Sequence, residues 1–229
     1  MEETVNIMKR HLVLLAIIAA VIMVPSAKAS VCTTSDCTYT FDSTAVGAFG
    51  SGPYGTVELT LVSGSINFTI DLLSGFHLID TGSHEAFTFN DTVAETVTIG
   101  SFSNSIYSQA AGSGPYGNSP FGSFSDAVAS TCTNGGGCGD QSVTFTVSRT
   151  GGFTDINQLV SSNGTAYFAA DVSCFPLTSC PADSSGGNTG VIGVTTIPRT
   201  TSTVPEPISS TLVGAGLVSL FFLRRRATR

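Results

Sequence analysis

Apolar and polar side chains alternate along much of the central part of this chain. The alternation is clearest in residues 56–62 and 65–71, which a Ser-Gly pair at 63–64 separates. A period of two indicates β-strands with one buried face, and a two-residue connection between such strands indicates a hairpin. Shorter alternating stretches follow at 85–90, 95–99, 142–147 and 165–172.

No long amphipathic helix pattern interrupts this region, and strands with one polar face favour antiparallel sheets. We therefore predict an all-β fold, a single antiparallel β-sandwich of the jelly-roll type. Residues 101–129 fit the pattern least. They are predicted to form a long loop with a short helix at 124–129.

One short sequence occurs twice: Gly-Ser-Gly-Pro-Tyr-Gly at 50–55 and again at 112–117. The residues after the two copies do not match, so the copies do not indicate a repeated domain. Glycine and proline in this order are typical of turns, and two turns are the favoured interpretation. The alternative is a pair of loops whose tyrosines contact a glycan.

The N-terminal residues have the three parts of a secretory signal peptide. Residues 8–11 are basic, residues 12–24 are apolar, and Ala27-Lys28-Ala29 is a small-x-small cleavage site. We expect residues 1–29 to form a signal helix that signal peptidase removes. Acidic residues ahead of the basic part are unusual, so translation is expected to begin at Met8.

The C-terminal end also has three parts. An apolar stretch, residues 208–223, is long enough for a helix of about 24 Å, which crosses a bilayer core of about 30 Å only marginally. Arginines that follow can reach the headgroups and should stay cytoplasmic. The residues concerned are the motif Val204, Pro205, Glu206 and Pro207, and the membrane stop Arg224, Arg225 and Arg226.

In order and spacing, residues 204–229 resemble the C-terminal sorting signal of PEP-CTERM exported proteins. The resemblance implies recognition and cleavage by exosortase, a membrane protease of Gram-negative bacteria. It also implies export through the inner membrane to the cell surface or matrix, together with exopolysaccharide production. The alternative is an ordinary single-span anchor with a chance proline pair, whereas the Leu-Pro-x-Thr-Gly motif of a Gram-positive sortase signal is absent.

Between the two ends we assign an exported domain at residues 30–183 and a linker at residues 184–203. The linker is rich in Ser, Thr and Gly, which predicts a flexible stalk, although the β-branched stretch 191–197 leaves one further edge strand open. From residue 30 to residue 203 the chain has thirteen acidic residues against Arg149 and Arg199. Such a charge excludes nucleic acid as a partner.

All six cysteines lie in the exported part as three close pairs. Fifteen pairings are formally open. Short spacing and an oxidising compartment favour three local bridges over zinc, each stabilising the fold by on the order of 2 kcal/mol. The pairs are Cys32 with Cys37, Cys132 with Cys138, and Cys174 with Cys180.

Residues capable of catalysis are few, and we assign no catalytic, cofactor or metal site. His77 is predicted to be a strand residue and His84 a turn residue, and no catalytic or phosphate-binding motif is present. The carboxylates available for a glycosidase pair are Glu58, Glu85 and Glu95. Those available for Ca²⁺ are Asp71, Asp80, Asp91 and Asp155. The N-glycosylation patterns begin at Asn67, Asn90 and Asn163.

Two functions remain after these exclusions. The preferred one is a non-enzymatic envelope or matrix protein with a structural or adhesive role linked to exopolysaccharide. The alternative is a polysaccharide-binding module or glycan hydrolase of the same matrix. The expected partners are exosortase, signal peptidase, the inner membrane during export and exopolysaccharide.

Overall fold

The structure is a computed structural model that describes residues 32–44, 49–93, 95–133, 135, 137–176, 178, 180 and 189–198. These residues form strands and one short 3₁₀-helix, Ile156–Leu159, so the fold is all-β as predicted. Within this described part, no helix is both long enough and apolar enough to span a bilayer. The predicted signal peptide and the predicted sorting signal both lie outside it.

Fourteen strands are present among the described residues. In chain order they are β1 (Asp36–Thr40), β2 (Ser43–Thr44), β3 (Gly55–Val62), β4 (Ser65–Leu72), β5 (Phe76–Leu78), β6 (Phe87–Phe89), β7 (Thr98–Gly100), β8 (Tyr107–Gln109), β9 (Tyr116–Gly117), β10 (Ser123–Phe124), β11 (Asp126–Ser130), β12 (Ser142–Ser148), β13 (Phe168–Cys174) and β14 (Thr189–Val194). Each of the six alternating stretches in the sequence overlaps one of these strands.

The first sheet has the strand order β1-β3-β4-β12-β7, and its neighbours pair antiparallel. Its centre is the predicted hairpin, in which Val62 pairs with Ser65. Ser63 and Gly64 have φ angles of 51° and 80°. Positive φ at both central residues is the geometry of the tight turn that matches the twist of the strands.

The second sheet has the order β2-β14-β13-β6-β11-β8, with β5 paired to β13 beyond the end of β6. Strands β9 and β10 form a separate two-stranded sheet. Residues 101–129 therefore contain strands, and the predicted long loop with a helix at 124–129 is wrong. Alanines in this stretch favour a helix locally, but β11 pairs on both sides, with β6 and β8, and these cross-strand contacts prevail.

Strand β14 lies inside the second sheet, between β13 and β2. It comes from the stretch predicted to be a flexible linker, so the boundary at residue 183 and the linker are wrong for residues 189–194. The strand is also not an edge strand. Val191, Ile192 and Val194 are buried, and this burial outweighs the linker-like composition of the surrounding residues.

Aromatic rings join the two sheets into one core. Phe68 of β4 stacks on Phe145 of β12 with 4.8 Å between ring centroids. It also contacts Phe89 of β6 at 5.2 Å and Phe168 of β13 at 6.2 Å. Such offset and edge-to-face contacts stabilise a core beyond the apolar area that they bury.

Candidate functional site

The three local disulfides predicted from the cysteine spacing are confirmed. The Cα atoms are 4.3 Å apart in the Cys32–Cys37 bridge, 5.7 Å in Cys132–Cys138 and 5.6 Å in Cys174–Cys180. The bridges close loops and do not join distant parts of the chain. These six cysteines are the predicted site residues that fall within the described part of the chain.

The second and third disulfide loops lie against each other. A Cβ atom at Gly137 would be 2.7 Å from the Phe175 ring, so the glycine allows the two loops to approach. His77 of β5 lies beside both loops, because its Nδ1 is 3.0 Å from the carbonyl oxygen of Gly139, the residue after Cys138, and its Nε2 is 3.1 Å from that of Phe175. The structure thus supports the prediction of a strand histidine held by hydrogen bonds.

A buried carboxylate on β13 was not singled out from the sequence. Asp171 is fully buried, and its Oδ2 accepts hydrogen bonds of 2.6 Å from both the backbone N–H and the hydroxyl of Thr81. Its backbone binds the residues where the loop leaves and rejoins the sheet: Ile79 N–H donates to the Asp171 carbonyl, and Asp171 N–H donates to that of Ala86. Asp171 therefore anchors the loop 79–86.

The charged form of Asp171 is costly in this position. Burial, the largest cause, and the nearby Asp80 carboxylate together raise the pKa of Asp171 to about 6, against the lowering effect of the Thr81 hydrogen bonds. Among the described residues, Asp171 Oδ1 has no hydrogen-bond partner. A buried polar atom without a partner destabilises the ionised carboxylate.

Asn118 secures the other side of the same loop. Its Nδ2 donates to the Glu85 carbonyl oxygen and to the Thr88 hydroxyl, both at 3.0 Å, and its Oδ1 accepts from Glu85 N–H. Asp80 accepts a hydrogen bond from the Ser130 N–H. Burial raises the pKa values of Asp80 and Glu85. This polar network, formed by residues 80, 81, 85, 88, 118, 130 and 171, holds the loop 79–86 to the second sheet.

A second pair of carboxylates lies where β6 ends and β11 begins: Asp91 follows β6, and Asp126 is the first residue of β11. Burial, the largest cause, and the charges of Asp126 and Glu95 together raise the pKa of Asp91 to about 6, against the lowering effect of the Arg149 charge. Ser125 donates a hydrogen bond of 2.6 Å to Asp126 and accepts one from Asp91 N–H. Glu95 forms an ion pair of 2.9 Å with Arg149. Asp126 was missed because its stretch was predicted as helix.

The other candidate acids have separate structural roles. Glu58 is an exposed residue in the middle of β3, Asp71 on β4 accepts a hydrogen bond from Ser142, and Asp155 caps the 3₁₀-helix. Of the three glutamates available for a glycosidase pair, Glu58 lies on β3, Glu85 lies in the segment before β6, and Glu95 lies in the segment between β6 and β7. In the described part of the chain, no group of three His, Cys, Asp or Glu side chains is arranged to hold a metal ion.

The two Gly-Pro-Tyr-Gly segments are turns of the same construction. In each, the glycine–proline peptide bond is cis. The Tyr54 hydroxyl donates to the Gly50 carbonyl oxygen, and that of Tyr116 donates to the Gly112 carbonyl oxygen. Each tyrosine therefore closes its own turn, which agrees with the favoured interpretation.

An open groove of about 540 Å³ lies beside the edge strand β1. One side of its lining comes from the first described residues, starting at Cys32, and the other from Ile197 and Pro198. The remaining lining residues are Thr33, Thr34, Tyr39 and Asn157. We call this feature the terminal groove, because the described domain begins and ends there.

No protein-family model matches the chain, and no curated protein and no solved structure is significantly similar to it. The motif Val204–Pro207 and the arginines at 224–226 lie outside the described residues.

Proposed function

We propose that this chain is the precursor of an exported cell-envelope or extracellular-matrix protein with a non-enzymatic structural or adhesive role. Its mature part is a β-sandwich closed by three local disulfides. The observation that carries the proposal is the pairing of all six cysteines within the part that separates a signal-like N-terminus from a sorting-like C-terminus. Bridges of this kind persist in oxidising compartments.

The sandwich architecture is supported by the common core of the two sheets. Rings on β4 of the first sheet contact rings on β6 and β13 of the second. Two antiparallel sheets that bury their apolar faces against each other form such a core. In this arrangement the polar network around Asp171 has a structural role, since its groups hold a loop to the sheet.

The sorting step follows from the chemistry of the tail. Pro205 and Pro207 keep the backbone around Glu206 extended, and an extended backbone is accessible to a protease. The apolar stretch 208–223 would hold this motif at the membrane surface until cleavage. We infer that exosortase cleaves near the motif and delivers the domain to the cell surface or matrix, where exopolysaccharide is the expected neighbour.

Substitution in the motif tests this proposal in a Gram-negative host that has an exosortase. Glu206→Gln and Pro205→Ala are expected to accumulate as membrane-bound precursor, while the wild-type protein is processed. Ser202→Ala, just outside the motif, is the matched control and should be processed normally. Processing of Glu206→Gln at the wild-type rate would contradict the proposed sorting step.

One observation favours glycan binding as a second function. Phe175 is 44% exposed and lies at the contact of two disulfide loops, and Leu73 at the same end of the domain is also exposed. A rigidly held, exposed ring offers an apolar face to a sugar. Affinity electrophoresis in a gel containing host exopolysaccharide should retard the wild-type protein and not Phe175→Ala. Val62→Ala, an exposed apolar control at the other end of the β3–β4 hairpin, should behave as wild type.

A further inference from the structure

Both ends of the described domain are fixed at the terminal groove. At the N-terminal end, Cys32 is tied to Cys37 in β1. At the C-terminal end, the Asp42 carboxylate accepts hydrogen bonds of 2.9 Å from the Thr195 N–H and hydroxyl and a further one from the Thr196 hydroxyl. The chain then reaches Ile197 and Pro198 in the wall of the groove. Entry and exit of the domain therefore lie side by side.

β14, the last of the described strands, lies inside the second sheet and not at its edge. β14 pairs with β13 over six residues and with β2 on its other side. Without β14, strand β2 would have no partner in the sheet, and the side of β13 that pairs with β14 would be left unpaired. The fold can thus be completed only after residue 194 has crossed the membrane. The apolar stretch 208–223 is the next long hydrophobic segment of the chain to reach the membrane after that residue.

The connecting segments, even when fully extended, are about as long as one of the longest strands of the domain. Residues 25–31 and residues 199–207 span at most about 24 Å and about 31 Å when fully extended. A strand of eight residues such as β3 is about 26 Å long. If the two chain ends left the domain at opposite ends of such a strand, one connecting segment would have to run back along the whole domain before it reached the membrane. With both ends at the terminal groove, each connection needs to reach only from the groove to the membrane.

We propose that the domain folds and forms its three disulfides while both hydrophobic ends are still in the membrane, so that oxidative folding precedes both cleavages. This inference rests on the proposed function, because it takes residues 12–24 and 208–223 to be membrane-inserted in the precursor. It goes beyond that function in fixing the order of the steps. The folded, disulfide-bonded domain is then the form in which the processing enzymes meet the chain.

The test uses the full chain in a Gram-negative host with an oxidising periplasm and no exosortase, so that the tail is retained. In one form the signal cleavage site is blocked by Ala27→Phe and Ala29→Phe together, which keeps both ends attached. Two matched controls keep one end each: the unaltered chain, with its tail alone, and the blocked form truncated after Thr203, with its signal alone. Alkaline carbonate extraction reports membrane insertion, and alkylation of the denatured protein counts free thiols.

We expect all three forms to resist carbonate extraction, to show no free thiols, and to give the same protease-resistant core that includes Cys32 and Pro198. Free thiols or degradation of the doubly attached form alone, with both controls folded, would overturn the inference and leave the proposed function intact. Extraction of the tail-only control by carbonate would contradict the membrane-inserted tail, and with it both the proposed function and the inference.

Discussion

Asp171 is a carboxylate in a buried position, where a charged side chain is not expected. A carboxylate in mid-strand would ordinarily face solvent, yet this one is fully buried and binds a residue ninety positions away in the sequence. No local pattern encodes such a contact, because Thr81 and Asp171 meet only through the pairing of β5 and β6 with β13. The cysteine pairs could be predicted for the opposite reason. Their partners are five or six residues apart.

Asp171 should make the stability of the domain depend on pH. Its pKa in the folded state, about 6, lies above the ordinary value of 3.8, so the folded state binds more protons than the unfolded state between these values. The contribution of Asp171 to stability is then fully present below the ordinary pKa of 3.8 and is lost as the pH rises through the folded-state pKa of about 6. The difference between the two pKa values corresponds to about 3 kcal/mol of unfolding free energy.

Urea unfolding of the exported domain from pH 4.5 to pH 7.5 checks this expectation. The wild-type protein should lose stability across the range, and Asp171→Asn should lose markedly less, because the neutral amide has no charge to desolvate. Asp36→Asn, at an exposed position on β1, should keep the wild-type dependence. The variant should keep some dependence of stability on pH, because the pKa of Asp91 is also about 6. The same dependence of stability on pH in wild type and Asp171→Asn would contradict the role of Asp171.

Gly193 lies at a position where there is no room for a side chain. A Cβ atom at this position would be 2.5 Å from the Phe121 ring, so the ring covers the glycine near the end of β14. Gly193→Ala is expected to displace the ring and to lower the unfolding free energy by about 1–3 kcal/mol. Gly100→Ala in β7 meets no atom within 4 Å and should change the melting temperature little. A tolerated Gly193→Ala would show that the ring moves aside freely.

At the scale of elements, the longest strands could be predicted from the sequence and the two-residue strands could not. β3, β4 and β12 alternate over seven or eight residues, which is long enough for a period of two to stand out. β9 and β10 have two residues each, and pairing alone defines them. β14 shows a different limit: its two glycines and its threonine are typical of a linker, and only the pairing on both sides makes it a strand.

The position of β14 predicts where the domain can be truncated. An exported form that ends at Asp183 lacks β14 and should fail to fold, because β13 and β2 each lose a neighbouring strand. A form that ends at Pro198 keeps β14 and the Asp42 hydrogen bonds and should unfold cooperatively. Circular dichroism during thermal unfolding distinguishes the two. A cooperative transition in the form that ends at Asp183 would restore the boundary predicted from the sequence.

At the scale of the whole molecule, the three disulfides stabilise a domain whose sheets already share one core. Each bridge closes a short loop, so removal of one should cost about 2 kcal/mol of unfolding free energy in the chain-entropy description. Cys32→Ala with Cys37→Ala should therefore lower the denaturant midpoint without changing the steepness of the transition. The reduced wild-type protein is the comparison, and it should be less stable than the double variant. An unchanged midpoint would show that this bridge does not stabilise the domain.

The proposed function requires that the domain folds outside the cytoplasm and loses both hydrophobic ends. Intact-mass analysis of the native cell-surface form, alkylated with and without reduction, tests it most directly. We predict a chain that begins at Ser30 and ends near the motif at residues 204–207, that takes up no alkyl group before reduction and that takes up six after it. A chain that retains both apolar ends and reacts at all six cysteines without reduction would contradict the account.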